Sequence, residues 1–147
     1  MLPWIIAIVI VILDLASKHL VQTNTSLHAV TVVEGFFKIT YVKNTGMAWS
    51  LLEGQQVFLS LVSLAASAGM IYYLAKKKPD KPTAISVALL LGGALGNLFD
   101  RVFLGYVRDF LDFYIFGYNF PVFNVADSAL TIGVVLLLVI TTMEDKK

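Results

Sequence analysis

The sequence has 147 residues, no cysteine, a formal net charge of +1 and a hydrophobic content of 58%. This apolar share exceeds the roughly 45–50% of soluble domains, so it predicts an integral membrane protein. The length is enough for one domain, which we place over residues 1–147. The lack of cysteine excludes a thiol nucleophile, a disulfide framework and a cysteine-ligated metal site. The near-neutral charge indicates no nucleic-acid partner, and without an HExxH motif we expect no metal and no cofactor.

The first apolar segment, residues 3–21, is long enough to span a bilayer. It lacks a basic leader and a small-residue cleavage site, so we interpret it as a retained transmembrane helix. Asp14 and Lys18 are spaced for an ion pair on one helix face. We expect the Lys18 ammonium to reach the far interface. The pair is predicted to support helix packing, with a direct part in chemistry as the alternative.

Residues 22–55 are more polar and contain two runs typical of strands. Residues 29–33 and 36–42 are rich in β-branched and aromatic side chains, and Glu34-Gly35 between them favours a turn. In the second run, apolar Phe37, Ile39 and Tyr41 alternate with their neighbours, as in a half-buried strand. The segment predicts a small sheet lying on the bilayer between helices one and two. An exposed loop is the alternative.

Three further spans are predicted at residues 56–75, 84–104 and 122–142. The second contains no Asp, Glu, Lys, Arg or His and is interpreted as scaffold. A basic turn, KKKPDKP, follows it at residues 76–82. Cytoplasmic loops carry an excess of Lys and Arg, so this turn and both termini are predicted to face the cytoplasm. Residues 22–55 and 105–121 are then outside.

Three aspartates are predicted to converge near the outer interface. Asp100 lies close to the outer end of the third span, Asp127 lies roughly 9 Å below the start of the fourth, and Asp109 is in the connection between them. Asn97 and Asn124 each precede an aspartate by three residues, which places an amide and a carboxyl on one helix face. Carboxylates at membrane depth are costly unless paired or hydrated, so such residues are functional candidates.

Two neighbouring carboxyls that share a proton suit the hydrolysis of an amide. The ionised group takes a proton from water, and the protonated group donates a hydrogen bond to the carbonyl oxygen. Two alternatives remain open from the residues alone: a polar network that fixes helix register, and a small ion- or proton-coupled transporter. Two observations argue against transport. The acids cluster at one depth in the membrane, and the second span has no ionisable side chain that could continue a path for protons or ions inward.

The motifs GNLFDR at 96–101, VRDF at 107–110 and FNVADS at 123–128, with Asp14, Lys18 and NTGMAW at 44–49, resemble the bacterial lipoprotein signal peptidases (signal peptidase II). The resemblance implies an all-α polytopic membrane protein with four transmembrane helices and a small extracytoplasmic β-sheet, or cradle. It also implies an aspartic endopeptidase of the bacterial inner (cytoplasmic) membrane. Such enzymes remove the signal peptide of prolipoproteins just before a cysteine that carries a diacylglyceryl group.

The resemblance further implies roles for individual residues. Asp109 and Asp127 are expected to be catalytic, and Asp14 and Lys18 to belong with Asp100 to a structural polar network. Site support is expected from Asn44, Asn97, Arg101 and Asn124. The implied partners are diacylglyceryl-modified prolipoproteins, membrane lipids and inhibitors of the globomycin type, and the protein is expected to be monomeric.

Three electrostatic expectations concern these aspartates. Arg101 directly follows Asp100 and is expected to hold that carboxylate ionised. Arg108 departs from the family, in which an apolar residue is expected, and either lowers the pKa of Asp109 or points to solvent. The N-terminus of the fourth helix favours an anion, so Asp127 is expected to be the ionised partner and Asp109 the protonated one.

Overall fold

The computed structural model describes residues 1–47 and 51–144. It contains four long α-helices: α1 (Leu2–Thr23), α2 (Gln56–Lys76), α3 (Lys81–Leu104) and α4 (Val125–Glu144). Each is long and apolar enough to cross a membrane, which confirms the four predicted spans. The end of the NTGMAW motif at Trp49 and the C-terminal lysines Lys146 and Lys147 lie outside the described residues.

Local sequence explains where α3 begins and ends. Pro82 lies in its first turn, where the missing N–H costs no hydrogen bond. Gly105 follows its last residue in the left-handed conformation, with φ of 77°, and its N–H donates to the Arg101 carbonyl. This is a common glycine stop signal, and it lets the chain turn directly into the next strand.

Helix α3 is the centre of the bundle and packs against α1, α2 and α4. Of its most apolar stretch 61% is buried, against 22% or less in the other helices. Its glycines permit this close approach: a Cβ on Gly93 would lie 2.5 Å from the Ala126 carbonyl oxygen, and one on Gly96 would lie 2.5 Å from Asp14 Oδ2. Small residues let helix backbones come together in a membrane, and here they bring α1 and α4 against one polar end of α3.

The sheet has four antiparallel strands in the order β1–β2–β3–β4: β1 (Ala29–Val33), β2 (Phe37–Asn44), β3 (Val107–Ile115) and β4 (Tyr118–Asn119). Strands β1 and β2 confirm the predicted sheet between the first two helices. The segment after α3, interpreted from sequence as a connection, adds the other two strands. Its first residues, 107–110, are all buried, so they lack the alternation of apolar and polar residues that marks a half-buried strand.

The pairing of β2 with β3 places the sheet over the ends of the helices that carry the predicted polar residues. Asn44 lies opposite Val107, and Val42 lies opposite Asp109. Since β3 begins within three residues of the end of α3, Asp109 is held close to that helix. A strand therefore fixes the position of this aspartate.

Candidate active site

Asn124 and Asp127 together form the N-terminus of α4. The Asn124 side-chain oxygen accepts the Asp127 N–H at 2.9 Å, and Asp127 Oδ2 accepts the Asn124 N–H at 3.2 Å. This reciprocal arrangement is that of a capping box, in which two otherwise unsatisfied helix N–H groups are paired. The motif at 123–128 is thus a local folding signal that fixes the Asp127 carboxylate in the first turn of α4.

Asp109 is 1% exposed and is held by two side-chain amides. The Asn44 amide donates to its Oδ2 at 2.8 Å, and the Asn124 amide donates to its Oδ1 at 2.6 Å. Asn124 therefore binds Asp109 through its side chain and Asp127 through the helix cap. One residue joins the two aspartates that sequence analysis placed in different segments.

The pKa of Asp109 is raised to about 7. Burial is the largest cause, and the charge of Asp127 acts in the same direction, whereas the hydrogen bonds from Asn44 and Asn124 oppose it. The assignment of Asp109 as the protonated partner stays a prediction.

Asn97 is oriented by Lys18. The Lys18 ammonium donates to Asn97 Oδ1 at 2.9 Å, and Asn97 Nδ2 donates to Asp127 Oδ1 at 2.7 Å. Because an ammonium has only donors, Asn97 must present its oxygen to Lys18 and hence its NH₂ group to Asp127. The Asn124 amide also donates to Asn97 Oδ1, at 3.2 Å, which further fixes this rotamer.

Lys18 is fully buried, so the expectation that its ammonium reaches the interface is wrong. It lies 2.7 Å from Asp14 Oδ2 and 3.5 Å from Asp100 Oδ2. The predicted ion pair with Asp14 is therefore present. Its ammonium points into the bundle because Lys18 lies on the face of α1 that packs against α3, where two carboxylates and an amide oxygen replace water.

Asp14 also supports the helix that carries Asp127. Its Oδ1 accepts the Ala126 N–H at 2.9 Å, across 112 residues of sequence. The first N–H groups of a helix have no partner within the helix, so a carboxylate from α1 satisfies one of them. With the Asn124 cap, this contact fixes the start of α4 against α1.

The arginine that pairs with Asp100 is Arg108, and the predicted pairing with Arg101 is wrong. Arg108 Nη2 donates to Asp100 Oδ1 at 2.6 Å, and Arg108 Nε donates to Oδ2 at 3.2 Å. Neighbouring residues on a helix point about 100° apart, so Arg101 leaves its neighbour and donates instead to the Gly46 carbonyl at 3.1 Å. This bond ties the end of α3 to the segment after β2.

Arg108 meets neither expectation drawn for it. It is 6% exposed, so it does not point to solvent, and its guanidinium pairs with Asp100 rather than with Asp109. Gln22 completes the arrangement by accepting from Arg108 Nη1 at 2.8 Å. Sequence analysis missed Gln22, although its position four residues after Lys18 extends the polar face of α1.

The two aspartates belong to one hydrogen-bonded polar cluster. Asn124 binds both Asp109 and Asp127, and the cluster includes two ion pairs, Lys18 with Asp14 and Arg108 with Asp100. Within residues 1–47 and 51–144, no group of three or more His, Asp or Glu side chains is placed to hold a metal ion. The structure thus brings together every residue that sequence analysis assigned to the site or to its support.

Comparisons with known proteins identify the family of this chain. Residues 6–143 match the family model of signal peptidase (SPase) II. The lipoprotein signal peptidase of Bacillus pumilus (strain SAFR-032) is 43% identical over 149 residues, which cover 100% of this chain and 96% of that protein.

Two solved structures are similar over almost the whole chain. One, described as a bacterial membrane enzyme at 2.3 Å resolution, has a TM-score of 0.89 at 37% identity. The matched region covers 99% of this chain and 89% of the chain in that structure. Another bacterial membrane enzyme, at 1.9 Å resolution, has a TM-score of 0.84 at 37% identity. The matched region covers 95% of this chain and 91% of the chain in that structure. The protein therefore belongs to the signal peptidase II family, the lipoprotein signal peptidases of bacterial membranes.

Proposed function

We propose that this protein is an intramembrane aspartic endopeptidase that removes the signal peptide of prolipoproteins just before the diacylglyceryl-modified cysteine. The observation that carries the aspartic assignment is the pair of contacts made by Asn124, which holds Asp109 through its amide and Asp127 through the helix cap. Family membership supports prolipoproteins as substrates. The reaction needs no metal or cofactor, because the two carboxyls supply both the base and the acid.

In the proposed reaction the two aspartates have different tasks. Asp127, at the N-terminus of α4, is the carboxylate that takes a proton from water. Asp109, with its pKa raised to about 7, carries the proton and donates a hydrogen bond to the scissile carbonyl oxygen. Water oxygen bonds to the carbonyl carbon as its proton passes to Asp127. The C–N bond then breaks as a proton passes to the leaving nitrogen, which restores one shared proton.

The position of the pair suits a substrate that carries lipid. Asp127 is the third residue of α4, so it lies within about 5 Å of the start of that helix. A bond cleaved there is at the bilayer surface, while the diacylglyceryl chains and the apolar signal peptide remain in hydrocarbon. Globomycin-type cyclic peptides are expected to compete for the same site, and nothing in the reaction requires more than a monomer.

Orientation follows from the basic turn between α2 and α3. With this turn in the cytoplasm, both termini are cytoplasmic and the sheet with the aspartates is extracytoplasmic. A reporter inserted at Lys78 or fused after Lys147 should be cytoplasmic, whereas one near Thr25 should be external. An external reporter at Lys78 would overturn this orientation.

The test of the activity uses the purified protein and a prolipoprotein that carries the diacylglyceryl group. Mass spectrometry of the products should place the cleaved bond directly before the modified cysteine, and the unmodified precursor should be cleaved far more slowly. A second measurement follows proton flux in vesicles that contain the protein. Proton flux without cleavage would contradict the peptidase and favour a transporter.

A further inference from the structure

An apolar groove opens on the lipid-facing surface of the bundle, away from the aspartates. It has a volume of about 320 Å³ and is lined by one face of α1 from Trp4 to Ile12, by Ile71 of α2 and by Leu91 and Leu95 of α3. All of its lining side chains are apolar. Because α1 and α2 each pack on α3, the groove runs between them with α3 as its floor.

Surrounding hydrocarbon determines what can fill such a groove. From Trp4 to Ile12 the α1 backbone rises about 12 Å, which lies within one leaflet of a hydrocarbon core about 30 Å thick. An unfilled apolar groove loses dispersion contacts along its whole lining. A flexible acyl chain can adapt its shape to such a groove and restore these contacts.

One end of the groove lies close to a concentration of positive charge. Trp4 packs against the apolar core cluster that contains Leu74 of α2 and Ala84 of α3. Two residues beyond Leu74 the sequence reads KKKPDK over residues 76–81, with four lysines and one aspartate. All four lysine side chains are exposed. The charge of this turn, four minus one, is +3. Because the turn joins two membrane spans, we expect it to lie where phospholipid headgroups are.

We propose that this groove and basic turn form a binding site for an anionic phospholipid of the leaflet on that side of the membrane. One acyl chain lies along α1 against Ile71 and Leu91, and the phosphate group contacts the lysines of the turn. Lysines at a membrane surface attract anionic lipids, and a zwitterionic headgroup of zero net charge gains less. The site is separate from the aspartates, and its test does not depend on the proposed reaction.

The experiment measures lipid binding to the full-length protein in detergent by native mass spectrometry. Phosphatidylglycerol and phosphatidylcholine of equal chain length are titrated separately. The wild type should bind phosphatidylglycerol about tenfold more tightly or better, because each lysine near a headgroup contributes about fivefold. Combined Lys76→Gln, Lys77→Gln and Lys78→Gln changes should remove most of this preference.

A second variant tests the groove itself. Ile8→Trp fills it and should weaken the binding of both lipids at this site. Matched controls should retain wild-type binding: Leu138→Trp, at a 62% exposed position of α4, and Lys38→Gln with Lys43→Gln, in the sheet. Circular dichroism of each variant verifies that it is folded.

Several results would overturn the proposal. One is a wild type without a preference between the lipids, and another is a preference that survives the three lysine changes. Unchanged phosphatidylglycerol binding by Ile8→Trp would show that lipid contacts the turn but not the groove. A photoreactive amino acid at position 8 that captures the signal peptide of a substrate instead of lipid would assign the groove to the substrate.

Discussion

Lys18 of α1 donates a hydrogen bond to Asn97 of α3 at 2.9 Å, and this contact determines which end of the Asn97 amide faces Asp127. The sequence predicts Lys18 as one partner of a structural ion pair, and the structure shows that it also orients a residue of the proposed active site. Lys18 contacts Asn97 and not Asp127, so it is a positioning residue.

Lys18→Met removes the ammonium and keeps an unbranched side chain that is one atom shorter. Breaking a buried ion pair by removing one partner costs about 3–5 kcal/mol, because Asp14 and Asp100 are left without their shared cation. We expect a fall of that size in the free energy of unfolding and a loss of cleavage of at least about tenfold. Adding Asp14→Asn removes the uncompensated charge and should restore stability in part without restoring cleavage. Full recovery of cleavage in the double variant would contradict the positioning role.

Asn124 combines a helix cap with a contact to Asp109, and two substitutions separate these tasks. Asn124→Ala should lose about 1 kcal/mol of stability with the cap and most of the cleavage rate with the amide. Asn124→Ser keeps a good capping oxygen but has no NH₂ group for Asp109. We therefore expect thermal denaturation of the Ser variant near that of wild type and cleavage as low as that of the Ala variant. Wild-type cleavage by the Ser variant would show that the contact with Asp109 is dispensable.

The pH profile of cleavage should depend on Asn44. Its hydrogen bond to Asp109 favours the ionised carboxylate and lowers a pKa that burial raises to about 7. The proposed reaction needs Asp109 protonated, so kcat/KM should fall as the pH rises through about 7. Asn44→Ala removes the opposing bond, raises the pKa of Asp109 and should move the alkaline limb to higher pH.

Asn119→Ala, at an exposed position of β4, is the control for this profile and should leave it unchanged. Because the two carboxyls titrate as a pair, the limb reports their joint behaviour. A shift of the limb to lower pH in Asn44→Ala would contradict the protonated role of Asp109.

Asp100→Asn tests the distinction between a structural and a reacting aspartate. The Arg108 guanidinium would lose its charged partner in a buried environment, at a cost of about 3–5 kcal/mol. Cleavage should fall only with the amount of folded protein. The double variant with Arg108→Gln removes both charges and should be more stable than Asp100→Asn alone, as measured by thermal denaturation. Complete loss of cleavage by a folded Asp100→Asn protein would make Asp100 a candidate for the reacting pair.

Much of the fold follows from signals that are local in sequence. Length and hydropathy predict the four helices, and β-branched and aromatic composition predicts the strands on either side of Gly35. Strand β3 was not predicted because it begins with buried residues on both faces, so VRDF shows no alternation. Its role in placing Asp109 depends on its pairing with β2. That pairing joins residues far apart in the sequence, so local sequence patterns do not predict it.

The partners of charged residues were harder to predict than their presence. The position of Lys18 along α1 suggests that its ammonium reaches the membrane interface. This position does not reveal that Lys18 lies on the face of α1 that packs against α3. Adjacency suggested Arg101 as the partner of Asp100, whereas β3 returns Arg108 to that carboxylate. Both errors have one cause: sequence gives the spacing of residues along one element, whereas these two contacts form between different elements.

The measurement that tests the account most directly is cleavage by Asp109→Asn, Asp127→Asn and their combination, each purified and folded. Both single variants should lose cleavage of the diacylglyceryl-modified prolipoprotein, and the double variant should be hardly worse than either, because the pair acts as a unit. Asp80→Asn, at an exposed position before α3 without a side-chain capping bond, should cleave normally. Near-normal cleavage by folded Asp109→Asn or Asp127→Asn would contradict the proposed aspartate pair.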